Sequence, residues 1–408
     1  MSISPCLTFI ESNTSGTGRL FARAAREQGF RPILITNDPS RYKYAAEEEI
    51  DIILKDTQNE KALLEECRRL AFTSGLAGIT TSSEYYAETT AKTASRLGLP
   101  GPRSSAVRAC RDKYKQRVLL HRAGCCVPAF SKASSIKGAL TAAQEMGLPV
   151  ILKPVNGSGS VGVRLCANFH EVASHAQALL RQRTNERGLA VPHKVLIESV
   201  AHGSEYSVEA FSNNIIGITK KYLGPLPDFV EVGHDYPAEL SDAARAVIEQ
   251  TALSALDVLG MTWGPVHVEL RLTEHGPKII EVNPRLAGGY IPELVRLSSG
   301  IDLIAETIRA ATGNQPRLEP LTNRYASIRF ILPQQEGTLT GVEGLDTAKQ
   351  IPCVVDAKLY SEPGDKVFRR GDFRDRIGHV ITCSGSGAVA RHCAQMARRA
   401  IKVSVRQS

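Results

Sequence analysis

The chain predicts an α/β protein, and three observations carry that prediction. Short apolar runs alternate with amphipathic helical stretches over the first hundred residues. A glycine-rich loop sits between two strand-like segments near residue 157. A hairpin-like stretch at 266–285 places acidic residues at strand spacing. With 408 residues, two or three domains are expected. The apolar content of 42% and charged content of 23% are those of an ordinary globular protein. No run of 18 apolar residues and no leader-like N-terminus occurs, so a cytoplasmic protein without a membrane role is expected.

The elements follow in order. "CLTFI" (6–10) is a buried strand, "ESNTSGTG" a turn, and 17–29 a helix with Leu20, Phe21, Ala24 and Ala25 on one face. Strands follow at 31–36, 51–56 and 75–83, separated by helices, with a further helix at 84–97. Strand–helix alternation implies a parallel sheet covered on both faces. The turn "TSGTGR" (14–19) has two of the three glycines of a dinucleotide fingerprint, so a plain tight turn is the preferred reading over NAD binding. "GLPGPRSS" (98–105) marks a boundary, 106–123 a helix, "VPAFSKASS" (127–135) a strand and a cap, and 135–147 a helix. Strands at 193–200, 205–211 and 214–221 precede a loop at 225–237 and a long helix at 241–259. A helix at 291–312, a linker at 319–324, and three strands with a final helix at 386–403 complete the chain.

Charge and cysteine usage exclude several functions. The net charge of +8 suits an anionic substrate, but no basic stripe with interleaved aromatics occurs, so nucleic acid is not expected as a partner. Nine cysteines without a CxxC pair read as reduced, mostly buried thiols, with Cys125 and Cys126 a buried pair at a strand start.

"ILKPVNGSGSVGV" (151–163) lacks the Lys-Ser/Thr pair and the following helix of a P-loop. It reads as a hairpin flap whose amides, from Gly157 through Ser158, Gly159 and Ser160 to Gly162, close over phosphate. A plain turn needs fewer glycines. In "VHVELRLTEHGPKIIEVNPR" (266–285), a regular hairpin centred on His275 sets Glu269 opposite Glu281 and His267 opposite Asn283. Val266, Val268, Leu270, Ile280 and Val282 then share the core face. Opposed glutamates repel, so a shared proton, a basic side chain or a metal must offset them. Two carboxylates with an amide carbonyl suit Mg²⁺ bound with nucleotide phosphates, and Arg285 reaches the same place. The alternative is a solvated face neutralised by Arg271.

With those residues in view, the chain resembles the ATP-grasp ligases over most of its length. The resemblance rests on "RDKYKQR", on "ILKP" with its flap, on "IESVAHGSEYSVE", and on "VHVELR…IIEVNPRLAGG". "TTSSEYYAETTAKTASRLGLPG" and "FVEVGHDYPAEL" look like the dipeptide-forming, bacilysin-ligase type. The resemblance implies an ATP-grasp architecture. A Rossmann-like domain spans 1–100. An ATP-grasp core spans 101–318, with its flap subdomain at about 126–200. A small α+β domain spans 319–408.

It also implies roles. Lys113 and Lys153 bind ATP phosphates. Glu198, Ser199, Val200 and Ala201 hold adenine through backbone groups, and Glu205 binds ribose. Glu269, Glu281 and Asn283 hold two Mg²⁺ ions, with Mn²⁺ as an alternative, and Arg285 is catalytic. Glu84, Glu231, His234, Gly288 and Gly289 line the amino-acid pocket, and Lys220 and Lys221 sit at the phosphates or at the substrate carboxylate. His267 is read as structural. The implied partners are a small carboxylate and an amine, with a homodimer a family-level expectation. Rival expectations are a bicarbonate-using relative of the biotin-carboxylase or purine-pathway type, and a nucleotide-binding protein without catalysis.

Overall fold

The computed structural model describes residues 4–14, 16–185 and 187–407. Ser15, within the turn read at 14–19, lies outside the described residues, as do Met1–Ile3 of the N-terminus. Among the described residues the strands form four sheets. The first is the expected parallel sheet, in the order Asp51–Leu54, Arg31–Thr36, Cys6–Ile10, Leu76–Thr80. The helix Gly16–Glu27 packs on it through Phe21, Ala24 and Ala25, while Leu20 is exposed, contrary to the expected face.

The second sheet is antiparallel, in the order Phe130–Ala133, Val195–Ser199, Val150–Pro154, Arg164–Cys166. Val150–Pro154 and Arg164–Cys166 pair antiparallel around the glycine loop, so that loop is a hairpin flap as expected. Gly157, Gly159 and Gly162 take positive φ of 126°, 66° and 73°, which explains why this loop needs glycine. Cys125 and Cys126 correct the sequence reading. They precede the strand, Cys125 is half-buried and Cys126 is exposed.

The third sheet has eight strands and carries the carboxylate hairpin at its edge. Its order is Gly276–Asn283, Pro265–Thr273, Ser204–Phe211, Asn214–Leu223, Glu231–Tyr236, Tyr325–Ile331, Gly378–Ser384, Val354–Leu359. Residues on both sides of the 319–324 linker therefore share one sheet. The region read as a loop at 225–237 contains a strand, Glu231–Tyr236, paired on both sides. Its glycine and charged residues hide a strand locally, and its partner Tyr325–Ile331 lies about ninety residues away, beyond any sequence window.

Two predicted helices are each broken in two. Asp112 takes an extended conformation between Ser104–Arg111 and Lys113–Arg122, and its carboxylate accepts a hydrogen bond from the Lys115 amide at 3.0 Å. Lys113 thereby becomes the first residue of a helix. Gly300, at φ 80°, ends Ile291–Ser299, and Asp302 caps Leu303–Ala311. A three-stranded sheet, Lys366–Val367 with Gly337–Glu343 and Lys402–Arg406, completes the fold. No helix among the described residues is long and apolar enough to cross a membrane.

The hairpin register is the expected one near its open end. His267 faces Asn283, Val268 faces Val282, and Glu269 faces Glu281. A bulge then shifts the pairing, so that Leu270 faces Ile279. This corrects the expected core face: Ile279 is buried in the core, and Ile280 lines the cleft instead. Two contacts from outside the hairpin accompany the shift. The Ile279 amide donates to the Cys126 carbonyl at 2.9 Å, and Arg117 donates to the Ile280 carbonyl.

Candidate active site

The flap, the helix Lys113–Arg122 and the hairpin face line a cleft. Expected residues lining it are Lys113, Lys153, Gly157, Ser158, Gly159, Ser160, Glu198, Ser199, Ala201, Glu205, Glu231, Glu269, Glu281, Asn283 and Arg285. The sheet explains how residues so far apart in sequence meet. Across neighbouring strands, Glu281, Glu269 and Ser207 stand in one row, and Asn283, His267 and Glu209 in the next. Arg271, Glu205 and Lys221 form a third.

Each opposed glutamate has its own cation. Lys113 Nζ lies 2.7 Å from Glu281 and also donates to the Gly157 carbonyl at 2.6 Å, tying hairpin to flap. Lys221 Nζ lies 2.5 Å from Glu231, 3.1 Å from Glu269 and 3.4 Å from Glu205. Burial alone would lower the Lys221 pKa, but Glu231, Glu269 and Glu205 raise it well above its ordinary value. His267 bridges Glu209 at 2.9 Å and Glu269 at 3.0 Å. Burial opposes its charge, yet the two carboxylates push its pKa up to about 9, making it an imidazolium that fixes Glu269. Arg271 neutralises Glu205, by two hydrogen bonds of 2.9–3.0 Å, rather than the opposed pair.

Deeper in, Glu198 is shared by two buried cations. Arg117 Nε donates to it at 2.6 Å and Lys153 Nζ lies at 2.5 Å. Two positive charges around one carboxylate leave one positive charge over, which an anionic group in the cleft would balance. The Glu198 side chain is thus taken up, and its strand is paired on both sides, with Glu198 opposite Phe130 and Ile151. Ala201 offers a carbonyl already held by Arg271 at 3.1 Å, and Val200, half-buried, is not among the cleft-lining residues. Gly162 sits at the flap base, where a Cβ would come 2.9 Å from Leu179.

At the other end, Arg285 donates to Glu84 at 2.8 Å, and Arg111 reaches the same carboxylate at 2.5 Å. Burial would raise the Glu84 pKa, but Arg285, Arg111 and Lys113 bring it down to about 2. Glu231 bonds Lys221 and, at 2.8 Å, Arg376. His234 is wholly buried 3.5 Å from Glu231, and neither ring nitrogen has a hydrogen-bond partner among the described residues. Gly289 packs on it so closely that a Cβ would lie 2.6 Å from Nε2, whereas Gly288 borders open space. Lys220 is a correction: strand alternation turns it to the face opposite Lys221, over the Tyr222 ring.

Arg117, Gln116, Arg111 and Arg376 were missed. The first two had a signal, since they follow Lys113 by three and four residues on one helix face. Gln116 exchanges hydrogen bonds with the Val282 backbone at 2.8 and 3.0 Å, clamping the hairpin to that helix. Arg376 had none, because only the tertiary fold brings it to Glu231.

The buried His234 makes a prediction about stability. Burial, with Arg376, Lys221 and Arg329 nearby, outweighs Glu231 and pushes its pKa down to about 3 from an ordinary 6.5. The unfolded chain therefore binds the extra proton first. The His234 contribution is complete above pH 6.5 and is lost as pH falls toward 3. Urea unfolding of the wild type should show stability falling below pH 6.5, with a shallower fall in His234→Gln. Equal slopes would mean that His234 titrates normally.

Comparison with known proteins agrees with this geometry. Family models match as an ATP-grasp N-terminal domain over residues 22–101, an ATP-grasp domain over 146–293, and an L-amino acid ligase C-terminal domain 2 over 329–406. The chain is 38% identical to the uncharacterized protein y4rH of Sinorhizobium fredii, covering 96% of this chain and 82% of that one. It is 27% identical to carnosine synthase 1 of Homo sapiens, over 72% of this chain but only 38% of that protein's length. The solved structure of an L-amino acid ligase from Bacillus licheniformis has the same fold, with a TM-score of 0.81, 22% identity and full coverage of both chains. The chain belongs to the ATP-grasp superfamily, among its carboxylate–amine ligases. Enzymes of this superfamily use ATP and Mg²⁺.

Proposed function

We propose that the protein joins a carboxylate, from an amino acid, to an amine through an acyl-phosphate, releasing ADP and phosphate. The observation that carries this reading is the pair Glu269 and Glu281, directly opposed with Asn283 beside them, under a glycine flap. Lys113 and Lys221 already offset these two charges, so the case for a further cation rests on the oxygen set itself. Among the described residues no three or more His, Cys, Asp or Glu cluster to hold a metal alone. Two carboxylates and one amide oxygen fit a hard cation that completes its shell with phosphate oxygens. Mg²⁺ bound there, as one ion or two, or Mn²⁺ in its place, would neutralise phosphate charge.

The chain's own groups do the rest. Lys113 and Lys153 face the phosphates, and the surplus charge around Glu198 favours an anion beside them. The backbone of 198–201 receives the adenine and Glu205 the ribose. The substrate carboxylate attacks the γ-phosphorus, the bond to the β-phosphate oxygen breaks, and ADP leaves. Arg285 stabilises the charge that develops on the acyl oxygens. The amine nitrogen then attacks the acyl carbon and loses a proton as phosphate departs. The paired charges of Glu84 with Arg285, and of Glu231 with Lys221 and Arg376, suit substrates that carry both an ammonium and a carboxylate. His234, Gly288 and Gly289 complete that end. The flap keeps water from the acyl-phosphate. The division into 1–100, 101–318 and 319–408 is part of the same proposal.

The test is ADP release by the purified protein with Mg-ATP, over amino acids and small carboxylates singly and in pairs, with mass spectrometry of products. ADP with one particular pair, and a product lighter than their sum by one water, is the expected result. ADP only with bicarbonate would replace this reading with a carboxylase-type one. Bound ATP with no turnover under any condition would replace it with a non-catalytic role.

A further inference from the structure

We propose that the loop 370–376 is the keeper of the glycine flap, and that Phe373 is a positioning residue holding the flap down over the activated carboxylate. The inference rests on the ligase reading above. The flap tip is Gly159, at φ 66°, and a Cβ there would lie 2.5 Å from Cδ1 of the Phe373 ring. The glycine is required not only by its backbone angle but by the ring seated against it. Phe373 is 43% exposed, so it is not a core side chain, and the flap is what its ring edge meets.

The loop that presents Phe373 is tightly built. Asp375 accepts hydrogen bonds from the Arg370 and Gly371 amides, both at 2.8 Å. Asp372 caps the following turn by accepting from the Arg374 amide at 3.0 Å. Gly371 lies against Asp228, so close that a Cβ would be 2.6 Å from the carboxyl carbon. Three residues after Phe373, Arg376 donates to the Glu231 carboxylate at 2.8 Å and to its carbonyl at 3.2 Å. Its guanidinium also lies over the Phe330 ring at 3.8 Å. One short loop thus touches the flap at one end and the substrate end of the cleft at the other. An acyl-phosphate under a loosened flap meets water, and ADP then forms without amide.

The experiment compares Phe373→Ala and Phe373→Leu with wild type in the full-length protein. The first readout is amide formed per ADP released. The second is hydrogen exchange of residues 157–162 with a non-hydrolysable ATP analogue and Mg²⁺, which needs no turnover. Expected for Phe373→Ala is a fall of about threefold or more in amide per ADP, and flap exchange faster by a similar factor. Phe373→Leu, which keeps an apolar contact, should recover most of both. Unchanged flap exchange overturns the keeper, whatever the activity. Faster exchange with an unchanged ratio overturns the role in excluding water. If no substrate pair releases ADP, the ligase reading fails on its own, and flap exchange with the analogue still decides whether Phe373 holds the flap.

Discussion

Glu281→Gln should lose about 10³-fold in turnover while keeping its fold. The substitution preserves shape but removes one of two opposed negative charges. Glu281 faces Glu269 directly, and Lys113 lies 2.7 Å from it. Without that charge the oxygen set for the cation is weakened, and Lys113 loses the partner that holds it between hairpin and flap. The fold has no reason to suffer. The buried side of the hairpin, with Val268, Leu270, Ile279 and Val282, is untouched. Repulsion with Glu269 is relieved, but the buried Lys113 is left without its carboxylate, so a modest fall in thermal stability with the fold retained is expected. ADP release and a melting curve measured together check both halves. Wild-type-like turnover would overturn the assignment of this carboxylate to cation binding.

Arg117→Met should destabilise the protein by about 3 kcal/mol, the lower end of the cost of removing one partner from a buried ion pair. Arg117 has no exposed surface. It donates to Glu198 at 2.6 Å and to the Ile280 carbonyl beside the bulge. Methionine fills the volume but leaves that carbonyl without its donor and Glu198 with Lys153 alone. The remaining pair explains why the lower end is expected. Arg117→Lys should not rescue it, because one ammonium cannot reproduce a planar fork that serves two acceptors. Urea unfolding measures the loss, and a change below about 1 kcal/mol would mean that Arg117 does not anchor the site.

Much of the site could be read from the residues because its key element is local. The turn at 273–277 marks the centre of the hairpin, and side-chain alternation then puts Glu269, Glu281 and Asn283 on one face. The flap was legible for a similar reason, since closely spaced glycines between β-branched runs leave the backbone few other uses. The bulge at Ile280 was not legible, because it goes with contacts to Cys126 and Arg117 from outside the hairpin. Nor was the strand at Glu231–Tyr236, whose two neighbours come from Asn214–Leu223 and Tyr325–Ile331.

Sequence by itself determined the α/β class, the parallel N-terminal sheet, the flap and the acidic hairpin. All of these rest on periodicity and turn chemistry within about twenty residues. The tertiary structure decided which cation answers each carboxylate: Lys113 for Glu281, Lys221 for Glu269 and Glu231, Arg117 and Lys153 for Glu198, and Arg285 for Glu84. It also turned Lys221 inward and Lys220 away, and it brought Arg376 to Glu231 and Phe373 to the flap from the far end of the chain. The physical reason is range. Backbone geometry is set by neighbours in sequence, whereas charge pairing in a cleft depends on distances that exist only once separate sheets have packed together.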